Sequence, residues 1–249
     1  MVTRSRIQSG GLSSQLRDLG ADVLEIPMIR IEQPADLKEF AELVQDAHQY
    51  DWLVFSSQNG VKAFFDVFYK LHEDAREIGG VRIAAVGSAT AQKIREYRLG
   101  VDLQPSRFVA EAVIEEFKKE CGSVENLRIL VVRGELGRDL IARELTTLGA
   151  IVDEAIAYRT VPETEDPYGG IARFKEEGAD LITFTSSSTA ENFASLKLSL
   201  PESVRTASIG PVTSQTLRDL GFRVDMEAGK SDIPGLIETI RAALEGRSK

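Results

Sequence analysis

The chain has 249 residues but only one cysteine, two histidines and one tryptophan. The lone Cys121 excludes an internal disulfide and fits a reducing cytoplasm. It follows Lys118, Lys119 and Glu120 at the end of a polar helix and reads as a non-functional thiol. His48 in "LVQDAHQYD" and His72 in "YKLHEDAREI" have no cysteine or histidine at metal-ligand spacing. No metal site is expected, and both histidines read as solvated. Apolar runs are short, as at Ile129 to Val132, so no segment is expected to span a bilayer. The opening "MVTRSRIQSGG" lacks the apolar run of a signal peptide. A cytoplasmic protein without a membrane partner is the expectation.

Positive charge is also scarce. Lys and Arg number 30 against 39 Asp and Glu, a net charge of −9, and no basic stripe stands out. That argues against nucleic acid as a partner. It also means that a polyanionic ligand must be held by local donors against a repelling field. No G-x-S-x-G elbow, G-x-x-x-x-G-K-[ST] loop or G-x-G-x-x-G fingerprint occurs, so neither a hydrolase nucleophile nor a nucleotide site has motif support.

What is present is an ordinary globular composition, 43% hydrophobic and 28% charged, in a chain long enough for two cores. The chain repeats itself. "DWLVFSSQNGVKAFF" from Asp51 aligns with "DLITFTSSSTAENFA" from Asp180, 129 positions later. The same offset pairs "LGADVLEIPMIRI" from Leu19 with "LGAIVDEAIAYRT" from Leu148, and Arg4 with Arg133. "RIAAVGSATAQKIREYRLGVD" from Arg82 pairs with "RTASIGPVTSQTLRDLGFRVD" from Arg205, now 123 apart because of a shorter loop. Each copy alternates β-branched runs with amphipathic segments, the pattern of α/β units with parallel strands flanked by helices. In copy two, strands are expected near 127–133, 151–161, 180–184, 205–209 and 223–226. Helices are expected at 138–148, 166–177, 187–196, 211–220 and 232–244. The endings "LRDLG" and "LTTLG" place glycine just past a helix, where a left-handed residue is needed.

In open parallel sheets, ligands bind beyond the carboxyl ends of the strands. Four loops there are rich in hydroxyls and glycine: "SSQNG" (56–60), "GSAT" (87–90), "TSSST" (185–189) and "GPVT" (210–213). Each follows an apolar run and opens a helix, whose orphan N–H groups and dipole favour an anion. For any single loop, plain N-capping is the simpler reading; the set of four points to anion binding at a cleft between the copies. Tyr158 in "AIAYRTV" has Ile29 as its counterpart, so one copy has gained a phenol, though a half-buried strand tyrosine would look the same. Arg4 and Arg133 stand at strand ends and could meet carboxylates, with ordinary ion pairing as the simpler reading.

Taken in order, "FSSQNGV", "VGSATA", "AYRTV", "FTSSSTAENF" and "IGPVTSQTL" resemble the uroporphyrinogen-III synthase family over essentially the whole chain. The resemblance implies two similar domains, each a parallel sheet flanked by helices, joined by a two-stranded β connector. One domain would comprise 1–28 plus 163–249 and the other 34–155, with connectors at 29–33 and 156–162. The repeat alone suggests a cut near residue 122. The implied reaction converts hydroxymethylbilane, a linear tetrapyrrole with eight carboxylates, to uroporphyrinogen III. Water is lost and ring D is inverted through a spiro intermediate, with no cofactor. Carried over, Tyr158 would assist loss of the hydroxyl, and Ser56, Ser57, Thr90, Thr185, Ser186 and Thr213 would bind acetate and propionate groups. A monomer that receives its substrate from the preceding synthase is implied. Where the family often has Thr-Ser-Pro, this chain has "SSQ" and "TSS". Two other readings fit the loops: a non-catalytic two-lobe binder of a small polyanion, and a sugar-phosphate isomerase-like domain using Glu191.

Overall fold

The computed structural model describes residues 1–4, 6–106, 110–163, 166, 169–198 and 200–245. Its strands are β1 (Ile29–Glu32), β2 (Trp52–Phe55), β3 (Arg82–Ala85), β4 (Arg128–Gly134), β5 (Ile151–Pro162), β6 (Leu181–Phe184), β7 (Arg205–Ser208) and β8 (Met226–Glu227). The helices are α1 (Arg6–Asp18), α2 (Leu37–Gln45), α3 (Gln58–Leu71), α4 (Ser88–Glu96), α5 (Ala110–Cys121), α6 (Leu140–Thr147), α7 (Gly170–Glu177), α8 (Ser187–Ser195), α9 (Pro211–Asp219) and α10 (Ile233–Glu245). By internal contacts the chain forms two compact units, one of 1–31 with 161–249 and one of 32–160. The chain passes between them within β1 and within β5.

In the 32–160 unit, the sheet runs β5-β4-β2-β3 with every described pairing parallel. Both faces are covered, which is why its central strands read as continuous apolar runs rather than alternating ones. One face carries an aromatic cluster: Phe55, Phe64, Phe65 and Phe68 are all buried, and Tyr97 stacks on Phe65 at 4.4 Å. The other face packs Trp52, Val113, Phe117 and Leu145. In the second unit β6, β7 and β8 pair in parallel, and Phe174, Phe184 and Phe193 form the centre of one core cluster.

The repeat holds at the level of register. Val131 pairs with Glu154 on one side and Val54 on the other. Val2 pairs with Glu25 and Thr183, each 129 positions from its counterpart. Ala84 bridges Leu103, and Ala207 pairs with Met226, each 123 apart. A side-chain period of two makes register unforgiving when both faces are buried, so equivalent sequences fall into equivalent pairings.

Helix ends follow the local chemistry. Gly149 and Gly221 have φ of 92° and 82°, the left-handed residues that the "LTTLG" and "LRDLG" endings require. Two expectations shift. Helix α7 begins at Gly170 rather than 166, because the Asp166 carboxylate accepts from the N–H groups of Gly170 and Ile171 and so stands outside it. The strand expected at 223–226 shrinks to Met226–Glu227. His72 is a correction: it is half-buried with its ring 4.6 Å from Phe68, and its Nε2 has no partner among the described residues. His48 is exposed, as expected.

One buried contact carries a pH dependence. Tyr50 is buried and donates its hydroxyl proton to Asp153 Oδ2 at 2.8 Å. Burial first, then this bond to a carboxylate, pushes the phenol above its ordinary value. The unfolded chain releases this proton near pH ~10 while the folded chain retains it. Stability from Tyr50 is therefore full below about pH 10 and declines as pH rises beyond it. Tyr50→Phe should cost about 1–2 kcal/mol at neutral pH, by leaving Asp153 without its donor. It should also reduce the alkaline decline, as urea midpoints measured at neutral and alkaline pH would show.

Candidate active site

Tyr158 lies near the end of β5, and an irregularity in the sheet places it. Arg133 pairs with Ile156 but Gly134 pairs with Tyr158, so β5 carries an extra residue opposite β4. Such a bulge re-aims the side chains beyond it. Ala155 and Ala157 lie in the aromatic core cluster, and Tyr158 packs on that same cluster although it is the next residue. Strict strand alternation would have sent it to the opposite face.

The phenol oxygen lies 3.0 Å from Ser57 Oγ. Ser57 is the N-cap of α3, in extended backbone, and its oxygen also accepts from Gly60 N–H at 3.1 Å. Ser56 sits one residue earlier, with its N–H and its hydroxyl both donating to the Val132 carbonyl, at 3.1 and 3.2 Å. The structure thus brings Tyr158, Ser57 and Ser56 together at the carboxyl ends of β2 and β4.

The turn after β4 is held by Arg133. Its guanidinium donates to the carbonyls of Gly134, Glu135 and Gly137 at 3.1, 3.2 and 3.0 Å, and it is paired with Glu154. Its side chain is only 14% exposed, so this arginine serves the turn. Leu136, on that same turn, is 74% exposed. For Arg4, burial pushes the guanidinium below its ordinary value.

In the other unit, Ser186 is the N-cap of α8 and accepts from Thr189 N–H at 3.3 Å, with Ser188 Oγ 3.0 Å away. Thr185 precedes it, half-buried. Thr216, midway along α9, donates to Ser187 Oγ at 2.7 Å, tying α9 to the start of α8. Ser186 repeats the role of Ser57, 129 positions on, but with a serine where Ser57 has a phenol. Ser186→Ala should lower stability by about 1 kcal/mol, the worth of a lost cap, read as a fall in the urea midpoint.

Two of the expected hydroxyls sit differently. Thr90 and Thr213, in the first turns of α4 and α9, are each 4% exposed. Their helices have glycine N-caps, Gly87 and Gly210, with no side-chain cap. The first intrahelical bonds are Ala91 N–H to Gly87 O and Ser214 N–H to Gly210 O. The N–H groups before Ala91 and Ser214 are thus the orphan donors of their helices. The serine-capped starts of α3 and α8 thus have one first-turn N–H taken by the cap oxygen, whereas the glycine-capped starts of α4 and α9 have none taken by a side-chain cap. A depression of about 200 Å³ in the 32–160 unit is lined by Asp36, Glu39, Glu135 and Glu154. Four carboxylates are the wrong sign for a polyanion. No group of three or more His, Cys, Asp or Glu residues among those described could hold a metal ion. Burial raises the Cys121 thiol above its ordinary value, which suits an inert thiol.

Gly134 escaped the sequence reading. A Cβ placed there would lie 2.6 Å from Tyr158 Cζ, so the phenol ring occupies the space a side chain would need. The one available signal was internal: the position 129 residues earlier is Ser5, in the copy that has Ile29 in place of the phenol.

Comparison with known proteins places the chain in a family. The family model described as uroporphyrinogen-III synthase HemD matches residues 11–238. A uroporphyrinogen-III synthase from Synechococcus elongatus is 34% identical over 251 residues, covering 96% of this chain and 93% of that protein. One from Chlorobaculum parvum is 27% identical, covering 98% of each. Among solved structures, a mutant uroporphyrinogen III synthase from Thermus thermophilus matches with a TM-score of 0.62 at 17% identity, over 99% of each chain. The synthetase from Helicobacter pylori also reaches 0.62 at 17% identity, over 88% of this chain and 92% of that one. At that identity the two structures speak for the fold, while the family model and the 34% relative reach further. The chain belongs to the uroporphyrinogen-III synthase family.

Proposed function

We infer that this protein cyclises hydroxymethylbilane to uroporphyrinogen III, with Tyr158 as the group that assists departure of the hydroxyl. The observation carrying this is the Tyr158 phenol, set 3.0 Å from the N-cap oxygen of α3 at the carboxyl ends of β2 and β4. The pyrrole nitrogen supplies the electrons that expel the hydroxyl, which takes the phenol's proton and leaves as water. The proton released from the unsubstituted α-carbon of ring D at final closure restores the phenol. Such help is worth roughly 10²–10⁴-fold. The azafulvene cation that results is attacked by the substituted carbon of ring D. The spiro compound so formed fragments and recloses with ring D inverted. Without an enzyme the same cation closes to the symmetric type I product. The protein's task is then to hold shape and place charge.

Binding follows from the helix starts. The N-termini of α4 and α9, glycine-capped, would take acetate and propionate groups through backbone N–H. Thr90 and Thr213 stand in those first turns, before the first intrahelical acceptor is reached, and would contribute through their N–H groups. Ser56, Thr185 and Ser186 line the neighbouring loops and offer further hydroxyls. Leu136, on the turn after β4, and Val212, in the first turn of α9, are exposed and suit the apolar faces of pyrrole rings. The two units form the two domains of the enzyme, with β1 and β5 as connectors. It works as a cytoplasmic monomer supplied by the preceding synthase; among the described residues no helix is long and apolar enough to cross a membrane.

The identity of the macrocycle tests the reading. Freshly made hydroxymethylbilane is supplied, the products are oxidised, and the uroporphyrin isomers are separated. Type III in proportion to added protein is expected. A non-catalytic polyanion binder would leave only spontaneous type I.

A further inference from the structure

We propose that Gly134 and Ser57 are positioning residues for the Tyr158 phenol, Gly134 by leaving the space the ring lies in and Ser57 by holding its oxygen. The proposal rests on Tyr158 acting in loss of the hydroxyl. Gly134 is not among the glycines with positive φ, so its backbone conformation does not itself call for glycine. What excludes a side chain is the ring: a Cβ would lie 2.6 Å from Cζ and 2.9 Å from both Cε2 and the phenol oxygen. The backbone there has little freedom to retreat. The Gly134 carbonyl accepts from Arg133 and from Gly137 N–H, the latter at 2.9 Å, and the residue is paired with Tyr158 across the bulge. An added methyl group would therefore displace the ring rather than the strand.

Ser57 secures the other end. Its oxygen already accepts the Gly60 N–H, and a hydroxyl has one proton and two lone pairs. When the Ser57 proton is donated to the Tyr158 oxygen, the phenol's own proton is left for another acceptor. The repeat acts as an internal control. The equivalent serine, Ser186, caps its helix with no phenol to hold, and where the chain has Ile29 instead of Tyr158 it has Ser5 instead of Gly134.

A double-mutant cycle tests this with the full chain. Gly134→Ala should lower kcat for type III formation about tenfold or more with KM nearly unchanged. The same change made on Tyr158→Phe should cost less than about twofold further. A second independent tenfold loss in that background would overturn the proposal. Ser57→Ala should lower kcat and Ser57→Thr should restore most of it; full activity of Ser57→Ala would count against the Ser57 half. A readout without turnover uses 3-fluorotyrosine in place of all five tyrosines. The Tyr158 resonance, identified by its absence in Tyr158→Phe, should move in Gly134→Ala and in Ser57→Ala while the other four stay. If it does not move, the positioning claim is wrong with the catalytic reading intact. Full activity of Tyr158→Phe is the separate failure, that of the catalytic reading, and shows itself before Gly134 is changed.

Discussion

Tyr158→Phe should fold normally and lose about 10²-fold or more in kcat for type III formation, with KM little changed. The ring keeps its packing on the aromatic cluster, and Ser57 keeps its bond to Gly60 N–H, so only one hydrogen bond is removed. Its worth to folding is about 1 kcal/mol. Its worth to the reaction is larger, because the phenol meets the departing oxygen as charge develops there; 10²-fold corresponds to about 2.7 kcal/mol of barrier. An interaction made only in the transition state lowers kcat and kcat/KM together and leaves KM in place. The spontaneous reaction continues meanwhile, so the variant's product should drift toward type I. Isomer ratios at several protein concentrations separate the two routes. A variant that keeps the wild-type ratio would remove Tyr158 from the chemistry.

Phe65→Ala carries the largest expected loss of stability, about 3–5 kcal/mol. Phe65 is fully buried on α3 and meets the rings of Phe55, Phe64, Phe68, Tyr69 and Tyr97 at centroid distances of 4.4 to 6.1 Å. Aromatic pairs add about 0.5–1.5 kcal/mol each beyond area, which puts the site at the upper end of that range. The single tryptophan makes this measurable. Trp52 is buried in the 32–160 unit, so its fluorescence reports the unfolding of that unit alone. The Trp52 transition should move to lower urea with an unchanged slope, as expected when stability falls and the unfolded state does not change. Since α3 also carries Ser57 at its start, enzyme that remains folded should keep its isomer preference. A shift below about 1 kcal/mol would mean that the cluster repacks around the gap.

The repeat was the most legible feature, because matching apolar runs must reach matching registers. Val2 and Val131 show this across 129 residues. Ser57 and Ser186 were legible as helix caps, since a serine between an apolar strand and a helix has an N–H to satisfy. The bulge at Arg133 and Gly134 was not, because one extra residue in a strand leaves no mark on composition or periodicity. Without the bulge, the meeting of Tyr158 with Ser57, 101 positions apart, could not be derived from the residues. Thr90 and Thr213 looked like surface hydroxyls by type; their burial follows from the helix face on which the third residue falls. Arg133 was legible as a strand-end cation in an ordinary ion pair, which it makes with Glu154; its carbonyl partners, one, two and four residues ahead, were not, because they depend on the shape of the turn. His72 looked solvated because its neighbours are polar, yet Phe68 lies one helical turn before it.

The account turns on one measurement, the initial rate of each uroporphyrin isomer from freshly generated hydroxymethylbilane as protein concentration is raised. The rate of type III should rise in proportion to the protein while type I falls, because both draw on one substrate. A folded protein that leaves type I dominant at its spontaneous rate, at every concentration, would contradict the account.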